Sequence, residues 1–295
     1  MKLVTFAVNG VEKIGSLNLD RVVDLREARA IQLLSLGYSI EDSMDKAYHE
    51  IPEGMINFIE GGVETLAIAN EAEEFALKNQ DFNKIIYSLK DVKLKSPIPN
   101  PKMNFHMGNA YRPFEIKSFG IKPATAVIGP DDPIIIPKEI TDFGAVYECE
   151  VGIIIGKKGR RIPNNETAYD YVYGYTIYND VTDYGKQIQE IFGLKIHDTF
   201  CPLGPCITTK DEIKDPHNMN IRAWINGQKA TDRSTREMLH KIPEFVSIPS
   251  RTLTLLPGTI ISTGAPDAGR IRPGDILELE ISEIGKIRNP VIAEK

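Results

Sequence analysis

The chain has 295 residues, of which 42% are hydrophobic and 26% are charged, and its net charge at pH 7 is −6. This composition is typical of a globular protein with one or two domains and a sizeable core. The acidic balance argues against a nucleic-acid partner, and the lack of a long apolar run or of a leader at Met1 argues against a membrane protein.

The three cysteines, Cys149, Cys201 and Cys206, are too few and too irregularly spaced for a disulfide framework, and they form no Cys-x-x-Cys zinc site. Free thiols are typical of a reducing compartment. We therefore expect a cytoplasmic protein.

Residues 1–95 are predicted to form a small N-terminal α+β domain. Short strands open the chain, and an Asn9-Gly10 turn between the first two is a strong signal for a β-hairpin. Helical patterns follow at 26–36, 39–49 and 63–78. The second helix starts at Ser39, a residue type that commonly caps helix N-termini. No segment of this domain contains residues arranged for chemistry, so we expect it to have a packing role.

Residues 96–295 are predicted to form the large domain, which starts at a proline-punctuated link at 96–101. After this link many short strands alternate with Gly and Pro turns, a pattern that favours a β-rich roll or sandwich over a βαβ fold. Short helical segments are expected at 165–171, 186–191 and 234–239. The predicted fold class is α+β: a β-rich mixed roll or sandwich with a small α+β domain before it.

The most informative stretch of the large domain is an apolar strand, 146–156, which contains Glu148 and Glu150. Side chains two residues apart on a strand share a face, so the two carboxylates lie roughly 6–7 Å apart. Asp180 follows the next predicted strand, 171–178, and could meet them there. Three converging carboxylates suit a hard cation such as Mg²⁺, Mn²⁺ or Ca²⁺. The spacing alone leaves open the alternative that both glutamates face solvent.

Three further polar residues can be interpreted in two ways. His106 stands beside Phe and Met, where a core histidine is expected more often than a base, so we expect no catalytic role for it. Lys122 and Lys195 each precede a segment stiffened by Pro or Gly. Each is either a fixed cation beside a substrate carboxylate or a solvated surface lysine.

Several segments, taken together and in order, resemble the fumarylacetoacetate hydrolase family over residues 96–295. The resemblance is carried by Tyr147-Glu148-Cys149-Glu150, Gly174-Tyr175-Thr176, Asn179-Asp180-Val181-Thr182, Lys195, Asp198-Thr199-Phe200, Ile225-Asn226-Gly227, Leu256-Pro257-Gly258, Thr263-Gly264-Ala265-Pro266 and Gly274-Asp275. Each segment is weakly specific alone, but their shared order makes a strong match. It favours the metal site over the solvent-facing alternative.

The resemblance implies a β-rich roll with a shallow central site, usually in a homodimer. It implies that Glu148, Glu150 and Asp180 bind Mg²⁺, Mn²⁺ or Ca²⁺, and that Lys195 and Gln187 are the family's catalytic lysine and glutamine. Members act on small 2-oxo and 1,3-dioxo acids. In them the metal stabilises an enolate, and the lysine holds a developing negative oxygen. The implied partner is a small 2-oxo acid substrate.

Three departures from the family pattern affect the predicted chemistry. Tyr184 stands where many members have a substrate-binding arginine, and we expect it to contact the substrate instead. Phe114 and Lys117 occupy the places of a His and a Glu that activate water in the family's lid. Ala265 replaces a threonine near the substrate. The electrophilic half of the site is therefore retained, whereas the water-activating half is not.

The loop from 105 to 119 corresponds to the family's lid over the substrate. Gly108 and Gly120 near its ends can absorb a backbone change, and its aromatic residues, among them Tyr111, can exclude water and contact the substrate. The alternative is an aromatic strand and turn packed into the core.

Three functions follow from these features. The first is a metal-dependent hydrolase that cleaves a carbon–carbon bond in an acylpyruvate or a fumarylacetoacetate-type acid. The second is a lyase of the same family, a 2-oxo acid decarboxylase or isomerase or a dehydratase of 2-keto-3-deoxy sugar acids, which needs no attacking water. The third, a non-catalytic family member, is disfavoured because an unused carboxylate cluster is costly to keep. We expect the hydrolase, with the lyase as the alternative.

Overall fold

The structure is a computed structural model, and it describes residues 1–79, 85–116, 118–138, 140, 144–184 and 194–295. Across these ranges the fold consists of two β-sheets, a group of N-terminal helices and one further α-helix between residues 242 and 250, which is the α+β class that the sequence predicts. None of the helices in these ranges is long and apolar enough to cross a membrane.

The strands in chain order are β1 (Lys2–Val8), β2 (Val11–Asn18), β3 (Arg21–Asp24), β4 (Ile86–Ser88), β5 (Lys93–Leu94), β6 (Asn104–His106), β7 (Gly120–Ile121), β8 (Val127–Ile128), β9 (Ile134–Ile136), β10 (Ala145–Ile155), β11 (Val172–Asn179), β12 (Thr182–Asp183), β13 (Cys201–Thr209), β14 (Asn220–Ile225), β15 (Gln228–Ser234), β16 (Ile260–Ser262), β17 (Ala268–Ile271), β18 (Ile276–Ile281) and β19 (Gly285–Ala293). The α-helices are α1 (Leu25–Ser35), α2 (Ile40–Glu50), α3 (Met55–Glu60), α4 (Gly62–Lys78) and α5 (Ile242–Ser250).

The larger sheet contains the strands of the site. Ten of its described strands follow the order β4-β3-β2-β1-β13-β11-β10-β16-β6-β7, and β5, β8, β12 and β17 pair with members of this series. The N-terminal strands join it through β1, where Lys2 and Leu3 pair antiparallel with Thr208 and Ile207. The smaller sheet has the order β15-β14-β18-β19-β9. The division of the chain at residue 95 stays a prediction.

Strand β10 is buried on both faces. Ile153 and Ile155 belong to a hydrophobic cluster that joins side chains of both sheets. Ile154, between them, belongs to a second cluster, which includes Phe58 of α3 and Ala69 of α4. This alternation follows from the twofold period of a strand. A strand covered in this way reads as a continuous apolar run, as the sequence of β10 does.

Helices α1, α2 and α4 lie where the sequence pattern predicts helices. Asp24 and Ser39 cap the first two, because each side chain accepts a hydrogen bond from a backbone N–H of the first turn. The sequence did not predict α3 or α5. In α5 the prolines Pro243 and Pro249 obscure the helix, although Pro243 lies in the first turn, where its missing N–H costs no hydrogen bond.

The short helical segments expected in the large domain have different outcomes. Two of them are 3₁₀ turns, Glu166–Tyr171 and Thr235–Glu237, and the second is fixed by a capping box between Ser234 and Glu237. The third, at 186–191, lies outside the described residues.

Candidate metal centre and active site

The acidic residues lie where β10 changes its neighbours. The first half of β10 pairs with β12 and β17, and its second half pairs with β11 and β16. At the change the Glu148 N–H donates to Asn179 Oδ1 (3.1 Å) and the Asp180 N–H donates to the Glu148 carbonyl (2.9 Å). On the other side, the N–H of Gly264, with φ +92°, donates to Glu150 Oε2 (2.7 Å). The breaks between β11 and β12 and between β16 and β17 leave room for side chains to converge at this point of β10.

The carboxylates of Glu148, Glu150 and Asp180 form one cluster, which we call the acidic cluster. One oxygen from each lies within 4.8 Å of the others. Glu150 and Asp180 are only 1% exposed, and the Glu148 side chain is 15% exposed. The alternative in which the glutamates face solvent is therefore wrong.

The Lys195 side chain reaches the exposed side of the acidic cluster. Its Nζ donates to Glu148 Oε2 (2.6 Å), to Thr182 Oγ1 (2.7 Å) and to Asp180 Oδ2. Burial acts to lower the pKa of Lys195, but the charges of Asp180 and Glu148 outweigh burial and raise it above its ordinary value. Lys195 is therefore an ammonium ion at neutral pH, and the interpretation of a solvated surface lysine does not apply to it.

Glu148 is held in place by two hydroxyl groups. The Thr182 hydroxyl donates to Glu148 Oε2 (3.0 Å), and the Tyr184 hydroxyl donates to Glu148 Oε1 (3.3 Å). Tyr184 therefore lies at the acidic cluster, where the sequence places a residue that contacts the substrate. The role of Thr182 was not predicted, although it belongs to the Asn179–Thr182 segment that resembles the family.

Lys122 approaches Asp180 from the buried side. Its side chain has no exposed surface, and its Nζ lies 2.8 Å from Asp180 Oδ1. The same Nζ donates to the carbonyl oxygens of Val181 (3.0 Å) and Phe200 (2.6 Å). The alternative of a surface lysine is wrong for Lys122. No local pattern around this residue reveals its burial, because its three partners come from distant parts of the chain.

The carboxylates of the acidic cluster differ in their affinity for protons. Burial raises the pKa of Asp180, but the cations Lys122 and Lys195 outweigh burial and lower it to about 2. Burial raises the pKa of Glu150 well above its ordinary value, and the neighbouring charges of Asp180 and Glu148 raise it further. A divalent cation would relieve this repulsion, since it favours the ionised form of Glu150.

A cavity of about 630 Å³ lies beside His106 and the loop that follows it. Its walls include Met107, Phe114, Glu115 and Phe119. His106 is partly exposed and lines this cavity, so the prediction of a core histidine is wrong. Burial lowers the pKa of His106 to about 4; the charge of Asp180 raises it in part, whereas Lys195 and Lys122 lower it further.

The loop after β6 is partly fixed and partly exposed. The Ala110 N–H donates to the Thr263 carbonyl (3.3 Å), and the Ala110 carbonyl accepts from the Leu239 N–H (2.7 Å). Phe119 packs edge-on against Phe105 with ring centroids 5.1 Å apart. Phe114, in contrast, is 62% exposed. The alternative of a fully packed aromatic turn therefore does not hold for the middle of the loop, and a closing lid stays a prediction.

Two of the predicted site residues, Tyr111 and Gln187, have no described hydrogen bond to the acidic cluster. The Tyr111 hydroxyl is buried without a hydrogen-bond partner among the described residues. Burial raises the pKa of Tyr111, and the nearby Cys149 and Glu150 raise it further. Gln187 and Lys117 lie outside the described residues.

The acidic cluster fits a divalent metal ion. Ligand oxygens lie about 2.0–2.1 Å from Mg²⁺ and about 2.3–2.6 Å from Ca²⁺, so two of them are at most about 4.2 Å apart around Mg²⁺ and about 5 Å apart around Ca²⁺. The three carboxylate oxygens lie within 4.8 Å of one another, which is inside the Ca²⁺ limit and within about 1 Å of the Mg²⁺ limit. All three donors are hard oxygens, the type that Mg²⁺, Mn²⁺ and Ca²⁺ prefer.

The chain belongs to the fumarylacetoacetate hydrolase family. The model of the fumarylacetoacetate (FAA) hydrolase C-terminal domain matches residues 100–292, which confirms the resemblance that the sequence predicts.

Named relatives and solved structures give a finer comparison. The chain is 35% identical to the mitochondrial oxaloacetate tautomerase fahd2 of Xenopus laevis over 265 residues, 82% of this chain and 79% of the relative. It is 35% identical to the oxaloacetate tautomerase YisK of Bacillus subtilis over 268 residues, 82% of this chain and 87% of the relative. A maleylpyruvate hydrolase from Sphingobium sp. SYK-6, solved with manganese(II) and pyruvate, matches over all of both chains with TM-score 0.79 and 28% identity.

Proposed function

We propose that this protein is a divalent-metal-dependent enzyme that interconverts the keto and enol forms of oxaloacetate or a closely related 2-oxo dicarboxylic acid. The observation that carries the proposal is the acidic cluster with the Lys195 ammonium on it. It is supported by the loop that lines the cavity at His106, where Phe114 stands in place of the family's water-activating histidine. The proposal replaces the hydrolase expected from the sequence as the leading function.

Glu148, Glu150 and Asp180 would hold the metal, with Mg²⁺ or Mn²⁺ as the proposed ion. A bound divalent cation would attract the 2-oxo acid and stabilise negative charge that develops on its carbonyl oxygen. Lys122 supports this role of the cluster, because its ion pair with Asp180 lowers the pKa of that carboxyl and keeps it ionised.

Lys195 would stabilise the oxygen of the enolate. Its ammonium group is held by Glu148 and Thr182 at the partly exposed edge of the cluster, where a substrate can reach it. A positioned cation acts more strongly here than in bulk water, because the surrounding protein has a lower dielectric constant.

The cavity walls favour a reaction without an attacking water. Met107, Phe114 and Phe119 contribute apolar side chains to the wall, and Phe114 stands where the family has its water-activating histidine. Tautomerisation moves one proton within the substrate and needs no water as a reactant, whereas hydrolysis needs a base that activates one. The names of the relatives, oxaloacetate tautomerases, support the same reaction.

Hydrolysis of a carbon–carbon bond in an acylpyruvate is the second candidate. It is supported by the full-length structural match to maleylpyruvate hydrolase and by Glu115, a cavity residue that could activate water. Both reactions need the same stabilised enolate, so the acidic cluster alone does not separate them.

Two assays on the purified, metal-loaded protein separate these functions. The first follows the loss of enol absorbance when enol-oxaloacetate is added, against the rate in buffer with the same metal. The second follows the release of pyruvate from acylpyruvates. We expect acceleration in the first assay and little in the second. Fast acylpyruvate cleavage without acceleration of the keto–enol conversion would contradict the proposal.

A further inference from the structure

His106 shares a face of the larger sheet with the acidic cluster. Its neighbour Phe105 is buried in the same hydrophobic cluster as Tyr147 and Cys149, which flank Glu148 on β10. Because side chains alternate along strands, His106 and Glu148 both point to the other face of the sheet, away from this hydrophobic cluster. His106 is close enough to feel the charges of Asp180, Lys195 and Lys122.

The imidazole of His106 lies over a glycine of the strand opposite it. His106 pairs with Gly120 across β6 and β7. A Cβ atom added to Gly120 would lie 1.8 Å from His106 Nε2, so the ring lies directly over the space that a side chain would fill. Gly120 has no positive φ, and its conformation does not require glycine. The glycine therefore leaves space for the imidazole.

We propose that His106 is the residue that carries the proton in the keto–enol conversion. This inference rests on the proposed function. His106 lines the cavity together with residues of the loop, and it stands on a hydrogen-bonded strand. Groups on strands are placed more precisely than groups on loops. Glu115, the other titratable group among the described residues of the cavity wall, is exposed and lies on the loop.

The proton balance of this step is complete within the substrate and His106. The C3–H bond of the keto acid breaks, and the proton goes to the neutral imidazole. The C–H electron pair becomes the C2–C3 double bond, and the carbonyl π pair moves to the oxygen near Lys195. The imidazolium then gives its proton to that oxygen, which forms the enol and restores neutral His106. The reverse sequence converts enol to keto.

The environment of His106 suits this exchange. Burial and the two lysines keep its pKa at about 4, so the ring is neutral at physiological pH and free to accept a proton. Such a weak base can remove a proton from carbon when the oxygen that becomes negative is stabilised beside it. The imidazolium that forms is a stronger acid than an ordinary histidine, because its pKa is about 4 rather than 6.5. This speeds the return of the proton to oxygen.

Three variants test the role of His106: His106→Asn, His106→Ala and Gly120→Ala. We expect His106→Asn to lower kcat for the keto–enol conversion by about 10²–10⁴-fold, the usual contribution of an acid–base group. Metal affinity, measured by calorimetry, should not change. His49→Asn, an exposed histidine on α2, is the matched control and should keep the wild-type rate.

Added imidazole distinguishes proton transfer from a packing role. We expect imidazole to restore part of the activity of His106→Ala, with substituted imidazoles of higher pKa restoring more. Gly120→Ala should lower the rate because its new methyl displaces the ring. Combined with His106→Asn it should add little further loss, because both changes remove the same group.

The outcomes separate this inference from the proposed function. A wild-type protein that accelerates the conversion, with His106→Asn equally fast, would overturn the role of His106 and leave the proposed function standing. A wild-type protein that does not accelerate the conversion with Mg²⁺ or Mn²⁺ would overturn both.

Discussion

At the scale of single residues, the two oxygens of Asp180 face different cations. Oδ1 pairs with the fully buried Lys122, and Oδ2 accepts from Lys195 at the edge of the cluster. This division gives one lysine a structural task and leaves the other at the partly exposed edge of the acidic cluster. The local sequence does not tell the two lysines apart, since each precedes a rigid segment; the family resemblance singles out Lys195, and only the tertiary contacts reveal the role of Lys122.

Replacing Lys195 with Met tests whether its ammonium group contributes to turnover rather than to metal binding. The variant keeps the three carboxylate ligands, so it should still bind the metal, but it should lower turnover by about 10²–10³-fold, the usual loss for one electrostatic donor. Calorimetry and the enol assay measure the two effects. Lys158→Met, at an exposed position after β10, is the control. Loss of metal binding together with turnover would assign Lys195 a structural role instead.

Replacing Glu150 with Gln tests the metal ligands. The amide has the shape of the carboxylate, but it lacks the charge that offsets a divalent cation. We expect metal binding to fall below detection in calorimetry, while the exposed control Glu166→Gln binds like the wild type. Binding of Mg²⁺ or Mn²⁺ at wild-type affinity by Glu150→Gln would contradict the assignment.

The lowered pKa of His106 predicts an effect on stability. Burial lowers this pKa from 6.5 to about 4, so the unfolded chain binds more protons than the folded one between these two values. The free energy of unfolding therefore falls as the pH drops through this window. His106→Asn removes this effect. Between neutral pH and pH 4, the free energy of unfolding of this variant should therefore fall by about 2–3 kcal/mol less than that of the wild type. Urea unfolding at several pH values measures it, and parallel pH curves for the two proteins would show that the pKa is not lowered.

At the scale of elements, the site depends on the irregularities of its strands. The sequence predicts β10 and β11 well, since their apolar runs and the alternation of Glu148 and Glu150 are local properties. It does not predict that both neighbours of β10 break beside Glu148, because this depends on pairing between distant segments. Helix α5 was not predicted for a local reason, because its two prolines obscure the helical pattern.

Gly174 in β11 tests how closely the strands around the site pack. A Cβ atom there would lie 2.3 Å from the Thr208 carbonyl oxygen of β13. Since Gly174 has no positive φ, the effect of Gly174→Ala should be steric. We expect a loss of about 1–3 kcal/mol in the free energy of unfolding, as for other overpacked positions.

Gly108→Ala is the matched control for Gly174→Ala, because an added Cβ atom there meets nothing within 4 Å. Its stability should equal or slightly exceed that of the wild type. Equal stability of Gly174→Ala and Gly108→Ala in urea would show that β11 and β13 can separate without cost.

At the scale of the whole molecule, metal binding should stabilise the fold. An ion that binds only the folded chain adds about 2.7 kcal/mol at one hundred times its Kd. We therefore expect the Tm to rise with Mg²⁺ or Mn²⁺ and to return when the metal is chelated. Glu150→Gln should show no rise. A rise of equal size in that variant would place the bound metal elsewhere.

The assembly of the molecule is predicted from the family alone. The expected homodimer can be checked by sedimentation velocity of the wild-type protein, and a monomer at all concentrations would contradict it.

The enol assay on the metal-loaded wild type tests the central claim most directly. Enol-oxaloacetate is added to the protein with Mg²⁺ or Mn²⁺, and its conversion is followed against buffer with the same metal and against Glu150→Gln. We expect rapid conversion by the wild type alone, at a rate proportional to enzyme concentration. Equal rates for the wild type, Glu150→Gln and buffer would contradict it.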